Sequence, residues 1–386
     1  MQRNLTLDFI RGLAVLGILL LNVSGFALPA AAYLNPAWNG IPSDTDIWTW
    51  ATLELFAQIK FLTLFAILFG AGLQMLLPRG KRWLQSRLTW LVILGFIHAV
   101  FFWEGDILLD YGIVGLIAWR MIRDVSSTRS LFNTGVMLYG VGVLVLIVFG
   151  LISGDKPGSS WQPGIAVVQY ETYWKLGGGI EAVRNRLEHL SSGMLALGAQ
   201  YGWQLAGLMM IGGALMRTGW LKGRFSLRHY RRLALFTIPL SFVIQIPGIF
   251  LQWHLQWEFR WTAFFLQVPR DIAAPLQALG YAALCFGFWP QLAGLKITQA
   301  ICCVGRMALT NYLLQTLLCT TLFYRLGLFM HFDRLQLLAI VAAIWSVNVL
   351  FSLYWLRFFD QGPMEWLWRQ LTRLGAGKLP EPPHRG

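Results

Sequence analysis

A histidine, followed within a dozen residues by three carboxylates, is the constellation in this sequence best suited to chemistry: His98, then Glu104, Asp106 and Asp110. Imidazole is the side chain whose ordinary titration lets it both take and give a proton near neutrality, and a nearby carboxylate can orient it. His98 is therefore the candidate general base, with Asp106 or Asp110 as its orienting group. The alternative is a buried histidine that only satisfies hydrogen bonds. Asp8, Arg11 and Asn22 fall on one helical stripe, and Asp8 can pair with Arg11 one turn away. That stripe is either an orienting charge pair at a membrane surface or a polar wall along a cavity. Lys60 follows Glu54 and Gln58, as a buried ion pair or a ligand contact. Farther on, Arg306 shares a face with Thr310, and Asn311 shares another with Gln315. Arginine keeps its charge, so Arg306 demands a carboxylate, a cluster of carbonyls or an anionic ligand.

The elements that must position these residues are membrane helices. Of the 386 residues 56% are hydrophobic and 13% charged, with a mean hydropathy of +0.55, against about 25% charged in soluble domains. Apolar runs near the ~20 residues that cross a bilayer recur along the chain. The expected fold is all-α, a polytopic integral membrane protein with about ten transmembrane helices. The spans run approximately 9 to 28, 52 to 77, 88 to 103, 106 to 122, 131 to 151, 193 to 216, 233 to 252, 272 to 289, 298 to 323 and 335 to 356. A polar segment, 152 to 192, divides a five-span half (1 to 151) from a second five-span half and tail (193 to 386), within one membrane domain. Its second part reads as one amphipathic helix ending near Leu190. The first span is expected to be retained rather than cleaved, because Asp8 sits where a leader would be basic.

The net charge of +13 raises the question of nucleic acid. Most of the basic residues fall in alternate connectors, in clusters such as Arg79 to Arg87, Arg120 to Arg129 and Arg217 to Arg232, with Arg3 and the tail residues Lys378 and Arg385 on the same side. That is the positive-inside pattern, which predicts both termini in the cytoplasm and needs no nucleic acid. Cys285, Cys302, Cys303 and Cys319 lack metal-ligand spacing, so no metal site is expected. A phosphate-binding Gly-Lys-Ser/Thr loop, an HExxH motif and a Gly-x-Ser-x-Gly elbow are absent, leaving ATP-driven pumps, zinc proteases and serine hydrolases without support.

Particular stretches resemble a known family. The opening run from Arg3 to Asn22, the stretch Lys60 to Phe65 leading to Leu68-Phe69-Gly70, His98 ahead of Gly105 to Leu108, Gly305 to Tyr312, and Gly362 to Arg369 are similar to the signatures of the YeiB family of bacterial inner-membrane proteins. The resemblance runs the full length, and in that family the C-terminal half is a domain of unknown function. The family is similar in turn to a superfamily of transmembrane acyltransferases that includes heparan-α-glucosaminide N-acetyltransferase. Such enzymes pass an acyl group from a cytoplasmic thioester to an acceptor at the far face, using a histidine in the first outer loop. Asn35, in Asn35 to Gly40, stands where that histidine would be. Either His98 replaces it, or the scaffold has lost the reaction.

The resemblance implies an acyltransferase-like protein with an acyl-CoA or lipid-type donor. Arg306 and Arg11 would hold its anionic groups, and Asp8, Asn22, Asn35, Lys60 and Asn311 would complete the substrate-binding set. The competing class is a transporter or lipid-handling protein in which the same groups line a path without making bonds; a structural membrane partner is the third. The lipid bilayer is the expected environment, and aromatic and small-residue faces allow a homodimer.

Overall fold

The computed structural model describes residues 4 to 154, 156 to 158 and 160 to 376; Arg3, Lys378 and Arg385 lie outside the described residues. Among the described residues the chain is helical and contains no strand. The helices are α1 (Leu5–Ala27), α2 (Asp44–Phe56), α3 (Lys60–Leu76), α4 (Lys81–Phe101), α5 (Leu108–Asp124), α6 (Thr128–Ile152), α7 (Ile165–Gly177) and α8 (Gly179–Ala196). Then follow α9 (Gly202–Thr218), α10 (Leu227–His254), α11 (Gln267–Gly287), the single turn α12 (Trp289–Leu292), α13 (Lys296–Arg306), α14 (Ala308–Thr320), α15 (Arg334–Trp355) and α16 (Pro363–Ala376).

Local signals start these helices where the sequence places polar residues ahead of apolar runs. Asn4 caps α1 by accepting from Leu7 N at 3.2 Å. Ser127 and Ser226 cap α6 and α10 in the same way, and Asp333 and Gln336 form a reciprocal capping box on α15. Six helical segments are long and apolar enough to cross a membrane, or seven if the bent pair α13 and α14 is one span. α1 is the buried hub, with 78% of its most apolar window inside the protein, whereas the same figure is 28% for α6, α10 and α15. Those three expose Leu144, Val148, Phe236, Val243, Val347 and Leu350. An apolar outer face with no polar stripe is what hydrocarbon, not water, requires.

Three segments depart from the simple reading. The expected continuous span over 298 to 323 is broken at Met307, where α13 and α14 meet at 88°. Beside the break α13 crosses α1: a Cβ on Gly305 would sit 1.8 Å from the Asp8 carbonyl oxygen, and one on Gly12 would sit 2.2 Å from that of Ile301. Backbone lies on backbone there, one turn before the break. The single amphipathic helix expected before Leu190 is instead two, α7 and α8, hinged at Gly178 and Gly179, both with positive φ. The second span is interrupted as α2 and α3, with Ile59 in the left-handed region (φ 64).

Candidate functional site

The basic connectors gather at one end of the bundle, and there α1, α3, α4, α13, α14 and α16 enclose a cavity of about 310 Å³. Arg11, Arg87 and Arg306 line it together with Phe65, Leu91, Ile107, Tyr111 and Tyr312. Each guanidinium is held differently. Arg11 lies 3.5 Å from Asp8. Arg87 stacks on the Trp368 ring at 3.4 Å and shares the cavity with Glu365. Arg306 donates to the Asp360 carbonyl at 3.0 Å, and its buried Nε has no hydrogen-bond partner. Three guanidiniums facing apolar walls suit a ligand with an anionic head and an apolar or neutral arm.

The break before α14 exposes that half-helix's N-terminus beside the same cavity. Glu365 from α16 caps it, accepting from Leu309 N at 2.7 Å, Thr310 N at 3.1 Å and the Thr310 hydroxyl at 2.5 Å. Burial pushes the Glu365 carboxyl above its ordinary range, against the pull of these Thr310 and Leu309 hydrogen bonds.

His98 stands one side chain beyond the inner end of this cavity. Its Nδ1 donates to Asp106 Oδ1 at 2.7 Å, and Asp106 Oδ2 accepts from Leu109 N at 2.8 Å, so the carboxylate that orients the imidazole also caps α5. His98 Nε2 lies 3.0 Å from the Thr316 hydroxyl, which is also 3.5 Å from the Tyr312 carbonyl oxygen, its helical i−4 acceptor. The imidazole packs against the rings of Tyr312 (centroids 5.5 Å apart) and Phe102 (6.1 Å). Tyr312 lines the basic-end cavity. Phe102 lines a different cavity, of about 530 Å³, at the opposite end of the bundle, with Lys175, Arg186, Thr320 and Arg325. His98 therefore packs against one lining residue of each of two cavities.

The far cavity is organised by Lys175, which α7 buries against Glu104 (3.1 Å) and Glu171 (3.0 Å), with Arg186 3.6 Å from Glu104. Burial alone would raise the Glu104 carboxyl, but the Lys175 ammonium, a backbone hydrogen bond and Arg186 outweigh it and hold the carboxyl below its ordinary value. Lys175 is disfavoured by burial and still shifted upward, by Tyr324, Glu104 and Glu171.

The remaining expected residues are placed elsewhere. Asp110 faces away from His98 and bonds the Tyr201 hydroxyl in a third cavity of about 240 Å³, shared with Gln204, Arg270 and Asp271. Lys60 is fully buried beside this cavity and donates to the Glu54 carbonyl, while the Glu54 carboxylate meets Arg270 at 3.5 Å. Asn35 donates to the Trp161 carbonyl (2.9 Å) and accepts from Ala37 N (2.9 Å), tying the first connector to the segment after α6. Asn311 donates to the carbonyls of Val304 and Met307 and to Ser352, and accepts from Asn348 at 2.8 Å, which satisfies the backbone freed by the break. Asn22 is buried on α1 and lines none of these cavities. Thr316, Glu365, Arg87, Lys175 and Arg186 were not singled out as site residues. The basic ones looked like ordinary connector charges, and Thr316 lies in an apolar run.

Residues 215–375 match the family described as protein of unknown function (DUF418). The chain is 65% identical over 377 residues to the uncharacterised protein YeiB of Escherichia coli (strain K12), covering 98% of each chain. The chain belongs to the YeiB family. The uncharacterised protein YxaH of Bacillus subtilis (strain 168) is 28% identical over 95% of this chain and 94% of its own. An uncharacterised 39.9 kDa protein of Bacillus acidopullulyticus is 24% identical over 95% and 93%. No solved structure matches. In this YeiB-family chain the DUF418 match contains Arg306, Thr316 and Glu365, while Arg11, Arg87, His98 and Asp106 precede it. The site is thus assembled from both halves.

Proposed function

We propose that this YeiB-family protein transfers an acyl group from a thioester donor at the basic end of the bundle to an acceptor at the far end. The observation that supports this is the His98 imidazole, held by Asp106 and packed against Tyr312 of one cavity and Phe102 of the other. A cavity of about 310 Å³ lies at the low end of the roughly 300–1,000 Å³ of small-molecule sites. An acyl-CoA donor would leave its phosphates at Arg11, Arg87 and Arg306 and send its thioester toward Tyr312. His98 takes the proton of the attacking group, Asp106 fixes the imidazole, and the proton ends on the departing thiol. Lys175 and Arg186 line the acceptor side.

The proposed setting is the inner membrane, with about ten spans, both termini cytoplasmic and the basic cavity on the cytoplasmic side. One feature favours a lipid-handling or transport protein instead: a helix broken in mid-span beside a basic cavity is also a carrier's device, although here Glu365 fills the half-helix N-terminus. The test is acyl-thioester consumption by the purified protein in nanodiscs, expected to fall about 10²- to 10⁴-fold in His98→Ala. Uptake of the anion into liposomes without product would support the carrier and overturn acyl transfer.

A further inference from the structure

We propose that Thr316 is the nucleophile of this reaction and carries the acyl group as an ester between the two cavities; the inference rests on the acyl-transfer function above. The Thr316 hydroxyl lies 3.0 Å from His98 Nε2, and His98 Nδ1 lies 2.7 Å from Asp106. Hydroxyl, imidazole and carboxylate in series, with the imidazole tautomer fixed by the carboxylate, are the arrangement that activates a weak oxygen nucleophile. Thr316 is buried, where an acyl ester would be kept from water.

Position along α14 carries the inference further. Tyr312, Thr316 and Thr320 stand at i, i+4 and i+8 on one helix face. Tyr312 lines the basic-end cavity and Thr320 the far one. One helical turn, about 6 Å, separates Thr316 from each, and about 12 Å separates the two lining residues. Direct attack needs the reacting atoms at roughly 3–3.5 Å. A donor in one cavity and an acceptor in the other are about twice as far from each other as either is from Thr316, so a group held on Thr316 halves the distance each must cover.

The steps balance. Thr316 Oγ1 attacks the thioester carbonyl, the Oγ1–C bond forms and the C–S bond breaks. The threonine proton passes to His98 Nε2 and then to the thiolate, giving acyl-threonine and free thiol. In the second half His98 takes a proton from the acceptor, which attacks the ester carbonyl; the C–Oγ1 bond breaks and the proton returns to Thr316.

The test uses the full chain in nanodiscs with ¹⁴C-acetyl-CoA as donor probe and hydroxylamine as acceptor probe. Acid-quenched protein is digested and the acetyl group located by mass spectrometry, with and without hydroxylamine. The expected result is acetyl on Thr316 in the wild type and on residue 316 of Thr316→Ser. Thr316→Val is expected to show none, and its acetyl hydroxamate formation to fall about 100-fold or more. Initial rates at several acceptor concentrations should give parallel double-reciprocal lines. Thr316→Ser keeps the assignment testable should Thr316→Val fail to fold. Wild-type turnover in a folded Thr316→Val, acetyl on His98, or intersecting lines would overturn the covalent carrier and leave acyl transfer standing. Absence of thioester consumption by the wild type would overturn both.

Discussion

Gly305→Ala tests whether the α1/α13 crossing fixes the basic cavity. The added Cβ would lie 1.8 Å from the Asp8 carbonyl oxygen and 2.7 Å from Gly12 N, where ordinary contact begins near 3.4 Å. Both neighbours are backbone, so no rotamer change relieves the clash, and the two helices must separate by roughly 1.5 Å. Overpacking of this kind costs about 1–3 kcal/mol or more. The alanine gains back up to about 1 kcal/mol in helix propensity, so the net loss is expected at ~1–2 kcal/mol. Arg11 and Arg306 ride on the separating helices, and anion retention in the cavity should weaken with stability. Gly140→Ala is the control, because a Cβ there meets nothing within 4 Å. The assay is thermal unfolding in detergent, followed by monodispersity on gel filtration, for both variants. Gly305→Ala melting at or above Gly140→Ala would refute the close crossing.

Glu104→Gln leaves buried Lys175 with Glu171 alone, and a stability loss on the order of 3 kcal/mol is expected in thermal unfolding at neutral pH. Glu104 is held below its ordinary range by Lys175 and Arg186. Its stabilisation is therefore present above the unfolded carboxyl range and is lost as pH falls through the folded value. The wild type should lose stability on acidification there more steeply than Glu104→Gln. Glu365 has the opposite sign: burial raises it, so its protonation on mild acidification favours the folded state. Against Glu365→Gln, the wild type should gain relative stability as pH falls toward the unfolded carboxyl value, read from melting temperature against pH. Asp106→Asn removes the acceptor that fixes the His98 tautomer and should lower thioester turnover by about 10²–10⁴, measured as free thiol released; turnover within a factor of two of wild type would refute an orienting role.

How far the sequence led depended on the range of the interactions involved. Helix positions were legible because hydrocarbon demands long apolar runs with polar caps, as at Asn4, Ser226 and Asp333. The break at Met307 was not, since no proline marks it and the backbone approach beside it, Gly305 on Asp8, joins segments nearly three hundred residues apart in sequence. Pairing of His98 with Asp106 could be read from their spacing across one turn. Asp110 was assigned to the same site, yet it lies within α5 and turns to Tyr201. Thr316 was invisible because nothing in an apolar stretch signals a partner 218 residues earlier. Arg306 stands out in the sequence as a charge that needs a partner, whereas Arg87 reads as a topology charge, and only packing of α4, α13 and α16 brings them to one cavity.

The most direct measurement of the central claim, that His98 stands between a donor cavity and an acceptor cavity at opposite ends, is vectorial transfer in liposomes of uniform protein orientation. Acetyl-CoA is supplied on the side of the basic connectors and hydroxylamine on either side. The account predicts that acetyl hydroxamate forms when donor and acceptor are on opposite sides, at a rate abolished by His98→Ala. Equal formation with both on the basic side, or formation that survives loss of His98, would contradict it.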